Sequence, residues 1–231
     1  MSERISSLRP VQNRCFGVRP WTADLTPAKD LHAALACEAL APEHRQDLAD
    51  VLPYLACGEV SAVLAFTGRL WHQLPPAARH ALRAMAQDER RHAQLIEQLQ
   101  QVLPPPRQTP DPQRVAMFFR RLESSDAARH LAHIAALDRA VCQVLHPLLR
   151  RDAPIGVAHE LHRALCALRQ DEARHVRAAR SLAHQLGFCP QHQPALERDI
   201  QQRLQILLQP VQASLVSLAT PLRLSAPEAA P

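Results

Sequence analysis

Asp88-Glu89-Arg90-Arg91-His92 and Asp171-Glu172-Ala173-Arg174-His175 are two copies of one pattern, D-E-x-R-H, 83 residues apart. A Glu and a His three positions apart on a helix lie on one face, so each copy can offer a carboxylate oxygen and an imidazole nitrogen to the same metal ion. Two copies suit two metals. A single E-x-x-H is a weak signal, because the pattern is common on helix surfaces. Here the flanking residues raise its weight. Around the second copy, Leu161, Leu165, Leu168, Glu172, His175, Ala179, Leu182 and Leu186 recur at steps of four and three. Around the first, Ala78, Leu82, Met85, Glu89, His92, Ile96, Leu99 and Leu103 do the same. That is the stripe a bundle helix buries. Ionised groups at such positions cost several kcal/mol each unless opposite charge compensates them.

The elements that must position these groups are helices. The chain has 231 residues, enough for one domain with a substantial core; 47% are hydrophobic, mostly Ala and Leu, and only five are Gly. β-branched residues are sparse, so the composition suits helix over sheet. The 20 Pro fall mainly between the periodic segments, as punctuation. Residues 1–25 read as an extended arm. Thr26-Pro27 opens a short helix that Pro42 closes. The next helix is expected from about Asp50 to Gln73 with Pro53 in its first turn, on a stripe of Leu52, Leu55, Glu59, Ala62, Phe66 and Leu70. The first D-E-x-R-H helix spans about 76–103. Pro104-Pro105-Pro106, Pro110 and Pro112 then keep the chain extended up to a short helix over 113–123 that crosses the bundle. Ser124-Ser125-Asp126 caps a helix to about Leu145, stopped by Pro147, with Leu131, Ile134, Asp138, Val141 and Leu145 on its stripe. A turn at Pro154 and Gly156 leads into the second motif helix, which ends at Leu186 with Gly187 as its cap. Helices over 194–209 and 211–219 follow, then a tail over 220–231, disordered from Ser225. The domain is thus 26–219, with a four-helix core over about 50–187.

The halves repeat. Leu82 to His92 matches Leu165 to His175, and upstream Glu59 corresponds to Asp138. The separations Glu59 to Glu89 and Asp138 to Glu172 are 30 and 34 residues, the length of an up-helix, a turn and a down-helix. Six groups therefore converge: Glu59, Glu89 and His92 from one half, Asp138, Glu172 and His175 from the other. This is the carboxylate-bridged two-metal arrangement of a four-helix bundle, with one Glu replaced by Asp. Four carboxylates balance two divalent ions if both His are neutral. Oxygen and nitrogen ligands with vacant positions suit two Fe ions, or Fe with Mn, better than structural zinc. Asp138 is a methylene shorter than Glu, and Glu123 or Asp126 are the alternatives for its place.

These residues carry a resemblance. Over about 50–187 the chain resembles the ferritin-like di-iron carboxylate superfamily, and its D-E-x-R-H copies are similar to those of hydroxylase subunits in bacterial multicomponent monooxygenases. The resemblance implies an all-α, ferritin-like four-helix bundle with a crossover between its second and third long helices and extra N- and C-terminal helices. It also implies that Asp171 holds His92, that Asp88 holds His175, and that Arg91 and Arg174 pair with those Asp residues; plain surface ion pairs are the competing reading.

Within the superfamily, Ile96 occupies the place of the radical-forming Tyr of ribonucleotide reductase subunits. A rubrerythrin with its own electron-transfer domain needs paired Cys motifs, and the six Cys are scattered. A ferritin cage fits poorly with the terminal additions and the Pro-rich crossover. An O2-activating oxidase or oxygenase acting on a small, largely apolar or aromatic compound is the first expectation, with Ala62, Val141, Cys142 and Ala179 as pocket walls. An iron-sequestering ferroxidase or storage protein is the alternative. A ferritin-like tRNA hydroxylase comes third: the net charge is +5, but there is no compact basic run for nucleic acid. With no flavin or nicotinamide motif, a separate electron donor is expected as partner, alongside O2, the substrate and a second copy of the chain in a homodimer. No apolar run suggests a leader or a membrane span, so the expected location is cytoplasmic.

Overall fold

A computed structural model of the chain describes residues 39–67, 72 and 74–222, and among these no strand occurs. The arm over 1–25, the helix expected from Thr26 and the tail from Ser225 lie outside the described residues. The long helices are α1 (Pro42–Thr67), α2 (Pro76–Val102), α4 (Ala127–Leu148) and α6 (His159–Gln185). Between them lie α3 (Pro112–Arg120) and the single turn α5 (Pro154–Val157); α7 (Gln193–Leu208) and α8 (Gln212–Ala219) follow. α1 packs on α2 and α4 on α6 as two hairpins, α2 meets α6 across the bundle, and α7 and α8 cover α4 and α1.

Several prolines behave differently from the sequence expectation. Pro42 opens α1, with the Arg45 amide bonded to the Ala41 carbonyl at 3.0 Å; the helix it was expected to close lies outside the described residues. A first-turn position needs no N–H, so the ring costs nothing there. α1 thereby starts well before Asp50, and Pro53 sits in its interior rather than its first turn. That position forfeits a backbone bond at a cost of about 3 kcal/mol. The fully buried Leu52 and its neighbours Leu48 and Val51 hold the helix through it. Pro147 likewise lies inside α4, which ends one residue later at Leu148. Pro112 starts α3 rather than extending the chain before it, and the Asp111 carboxylate accepts from the Gln113 amide at 2.8 Å. Of the expected cap Ser124-Ser125-Asp126, Asp126 makes the bonds, accepting from the Ala128 amide at 2.8 Å.

At the far end of α6, Gly187 has φ 100°, and the amides of Gly187 and Phe188 bond to the carbonyls of His184 and Ala183. This left-handed stop closes the orphan carbonyls and is what a non-Gly residue adopts only under strain. Gly156 answers a different need: a Cβ there would meet the Arg151 carbonyl oxygen at 2.6 Å.

The crossover from α2 to α4 is fastened by a buried polar group that the sequence reading missed. Asp50 accepts from the Arg107 amide at 2.7 Å and from its Nε at 2.6 Å, while Arg107 Nη2 reaches Asp47 at 2.6 Å and Ser214 at 3.2 Å. One arginine thus ties the Pro-rich segment to α1 and α8. The apolar core is split in two. One part contains Leu52, Ile96, Leu99, Leu145, Leu161 and Leu165; the other contains Ala78, Leu82, Met85, Ala135, Ala179 and Ala183. On α2 and α6 the change from one part to the other falls at Glu89/His92 and Glu172/His175. No helix among the described residues is long and apolar enough to cross a membrane.

Candidate metal centre

All six residues expected at the centre of the bundle meet in the layer between the two apolar parts. Glu59 comes from α1, Glu89 and His92 from α2, Asp138 from α4, and Glu172 and His175 from α6; each is at most 5% exposed. Glu59, Glu89, His92 and Glu172 bring one potential ligand atom each to within 4.8 Å of one another, and Asp138, Glu172 and His175 form a second such group. Glu123 and Asp126, the alternatives to Asp138, are elsewhere: both are exposed, and Asp126 caps α4.

Glu172 is common to both groups, and both motif glutamates stand between the two histidines. His92 Nδ1 lies 3.1 Å from Glu172 Oε1, 3.3 Å from Glu59 Oε2 and 3.7 Å from Glu89 Oε2. His175 Nδ1 lies 2.9 Å from Glu89 Oε1 and 3.7 Å from Glu172 Oε2. Each glutamate thus presents one oxygen to each histidine. The opposite ring nitrogens are held crosswise from the other half: His92 Nε2 is 3.2 Å from Asp171 Oδ2, and His175 Nε2 is 3.1 Å from Asp88 Oδ2. Arg91 pairs with Asp88 and stands 3.7 Å from Asp171; Arg174 pairs with Asp171 and stands 3.4 Å from Asp88. An Nε2–H donated to Asp leaves Nδ1 of a neutral ring as a lone pair facing carboxylate oxygens. Lone pair against lone pair is repulsive unless a cation lies between them.

The residues present fit two metal ions on that ground. Glu59 Oε2, Glu89 Oε1, His92 Nδ1, Asp138 Oδ2 and Glu172 Oε1 are buried without a well-aligned hydrogen bond, although several lie within contact distance of one another. Buried polar atoms that converge unpaired mark a place for a ligand. Protons do the compensating when metal is absent. Burial pushes Glu59 and Asp138 well above the usual carboxylate range. Burial acts against the charged form of both histidines, but their carboxylate neighbours, Glu172 first, win: His92 is pushed up strongly and His175 to about 11. For Glu89, burial is outweighed by the close contacts of His175 and His92, which hold it down to about 2.

The pH dependence follows. Glu59, Asp138, His92 and His175 all have folded values above their unfolded ones, so the stability they contribute is complete below the unfolded values and is lost as pH rises through the folded ones. Metal-free protein should lose thermal stability as pH rises, first above the carboxylate range through Glu59 and Asp138 and then from about pH 6.5 upward through the histidines, because the unfolded chain releases these protons while the folded one still holds them. Glu89 acts in reverse, its contribution fading only as pH falls from 4.5 towards 2. Metal replaces the protons, so loaded protein should be nearly flat over the same range and metal should bind more tightly as pH rises. Melting curves of both forms between neutral and alkaline pH check this; parallel declines would contradict it.

Beside the carboxylates lies a cavity of about 60 Å³ bordered by Glu59, Glu89, Asp138 and Glu172. Of the pocket walls expected from sequence, Ala62 and Val141 line it. Cys142 and Ala179 do not. The Cys142 thiol donates to the Arg169 carbonyl at 3.7 Å, and Ala179 belongs to the other part of the core. The remaining walls include Tyr54 and Leu55 of α1, Phe118 and Phe119 of α3, and Leu204, Leu207 and Leu208 of α7. Helical spacing alone does not say which flanking helix closes over a site, so sequence offered no signal for them. Cys57, Cys142, Cys166 and Cys189 are free thiols.

A family model described as rubrerythrin matches residues 58–183, more than half of the chain, from the second half of α1 almost to the end of α6. Among curated proteins and solved structures, neither comparison returned a match.

Proposed function

Because the chain belongs to the rubrerythrin family of ferritin-like di-iron proteins, we propose that it is an O2-dependent oxidoreductase, an oxidase or monooxygenase acting on a small, largely apolar or aromatic compound. The observation that carries this reading is the apolar cavity against the carboxylates. Two irons held by Glu59, Glu89, His92, Asp138, Glu172 and His175 would supply the reduction of O2 and the oxidation of substrate.

The chain's own residues set the conditions. Ala62, Val141, Leu204 and Leu207 make the wall facing the carboxylates apolar, which strengthens charge interactions at that edge. Asp88 and Asp171 keep a proton on each Nε2, so that Nδ1 is the atom turned inward. A volume of about 60 Å³ takes O2 or a few waters. A larger substrate therefore enters only by displacing side chains of the wall. Partners in this reading are O2, the substrate, a separate electron donor and a second copy of the chain, in the cytoplasm.

Reduced, iron-loaded protein should take up about one O2 per two irons and then stop until electrons are resupplied. An oxygen electrode reads this directly. Oxidation of many ferrous equivalents per chain, with a mineral product and a large hollow assembly, would overturn the reading in favour of iron storage.

A further inference from the structure

A second and larger cavity lies away from the carboxylate layer, where the loop between α3 and α4 meets α7. Its volume is about 320 Å³, and Arg121, Glu123, Ser124, Arg129, His133 and Arg203 are among the residues that line it. That volume is at the lower end of the range of small-molecule sites. We propose that this cavity binds a phosphate monoester, with the guanidiniums of Arg121 and Arg129 as the principal donors.

Three arginines face two carboxylates here, and one of each is already matched: Arg203 holds Asp199 through contacts of 2.9 Å. Among the described residues, Arg129 has no ion-pair partner, and the Arg121 guanidinium has one polar contact, the Met117 sulfur at 3.8 Å. Against these two forks stands the exposed carboxylate of Glu123. Ser124 Oγ accepts from the Asp126 amide at 3.2 Å, which leaves its O–H to donate. Two planar forks and a hydroxyl match the several acceptor oxygens of a phosphoryl group better than a single carboxylate.

His133 reports the local field. It is buried, and its Nδ1–H donates to the Leu122 carbonyl at 2.7 Å. Burial pushes its pKa below the usual value, the Leu122 bond works the other way, and Arg129, His130 and Arg203 push it down further. The charges of Arg129 and Arg203, which add to the effect of burial, are also the charges an anion in the cavity would meet. His133 is five residues from Asp138 on α4, about 7.5 Å along the helix, so the site is separate from the metal layer and does not need it.

The test uses the full chain, both metal-free and metal-loaded, titrated with inorganic phosphate and with glycerol 3-phosphate. Calorimetry gives affinity, and the His133 imidazole resonances give location. Saturable binding in both forms of the protein is expected, with the His133 titration midpoint moving upward. Arg129→Gln and Arg121→Gln should each weaken binding about tenfold or more, the loss of a hydrogen bond to a charged group. Arg163→Gln, which removes a surface pair with Glu160, should leave it unchanged. Tighter binding of the ester than of phosphate assigns the site to a phosphorylated molecule; equal binding assigns it to the free anion and overturns the ester. No saturable binding, or binding indifferent to Arg121 and Arg129, overturns the site altogether.

Discussion

Glu172→Ala should give a folded bundle that holds almost no metal. Glu172 is the one residue common to both ligand groups, and its two oxygens face the two different histidines. Its loss takes the first group from four ligands to three and the second from three to two. Removing a partner that merely orients a ligand commonly costs ten- to a hundredfold in metal affinity. Removing a ligand shared by two ions should cost more than about a hundredfold at each. Glu59→Ala is the informative comparison. Glu59 belongs only to the first group, so this variant should keep one ion, held by Asp138, Glu172 and His175. Equilibrium dialysis against ferrous iron under anaerobic conditions, with circular dichroism to confirm helix content, separates the cases. Equal losses in the two variants would contradict the division into a shared and a one-sided carboxylate.

The second large effect is expected at residues that touch no metal. Asp88→Asn and Asp171→Asn keep the side-chain size but remove the charge that holds each Nε2–H. Each should weaken metal binding roughly ten- to a hundredfold with little change in fold. The contacts are crosswise, so Asp171→Asn should loosen the ion nearer His92, on the opposite half of the repeat, and Asp88→Asn the ion nearer His175. Both arginines contact both aspartates. The double variant should therefore lose less than the two single effects combined, since groups in one network do not contribute independently. Unchanged affinity would reduce the four residues to surface ion pairs.

Much of this architecture was legible because a bundle helix writes its buried face into its spacing. The run from Ala78 to Leu103 shows all eight stripe positions buried, polar ones included. The hairpin separations likewise foretold that Glu59 would stand level with Glu89, and Asp138 with Glu172. What failed was local. Pro is compatible with the first turn of a helix and with the segment after one. Pro42 therefore gave no means of choosing between a start and a stop, and burial around Leu52 overrode the further cost of Pro53. The Asp50–Arg107–Ser214 fastening joins residues 57 and 107 positions apart, and no periodicity links such pairs. The same is true of the cavity walls from α3 and α7: Phe118 and Leu207 look like ordinary core residues until tertiary packing places them beside the carboxylates.

Diffraction data collected at the iron absorption edge from crystals grown with ferrous iron test the two-metal centre most directly. Two anomalous peaks are expected about 3.5–4 Å apart, each beside one histidine Nδ1, with Glu89 and Glu172 between them and Glu59 and Asp138 at the two ends. A single peak, or iron outside the layer formed by these six side chains, would contradict the account.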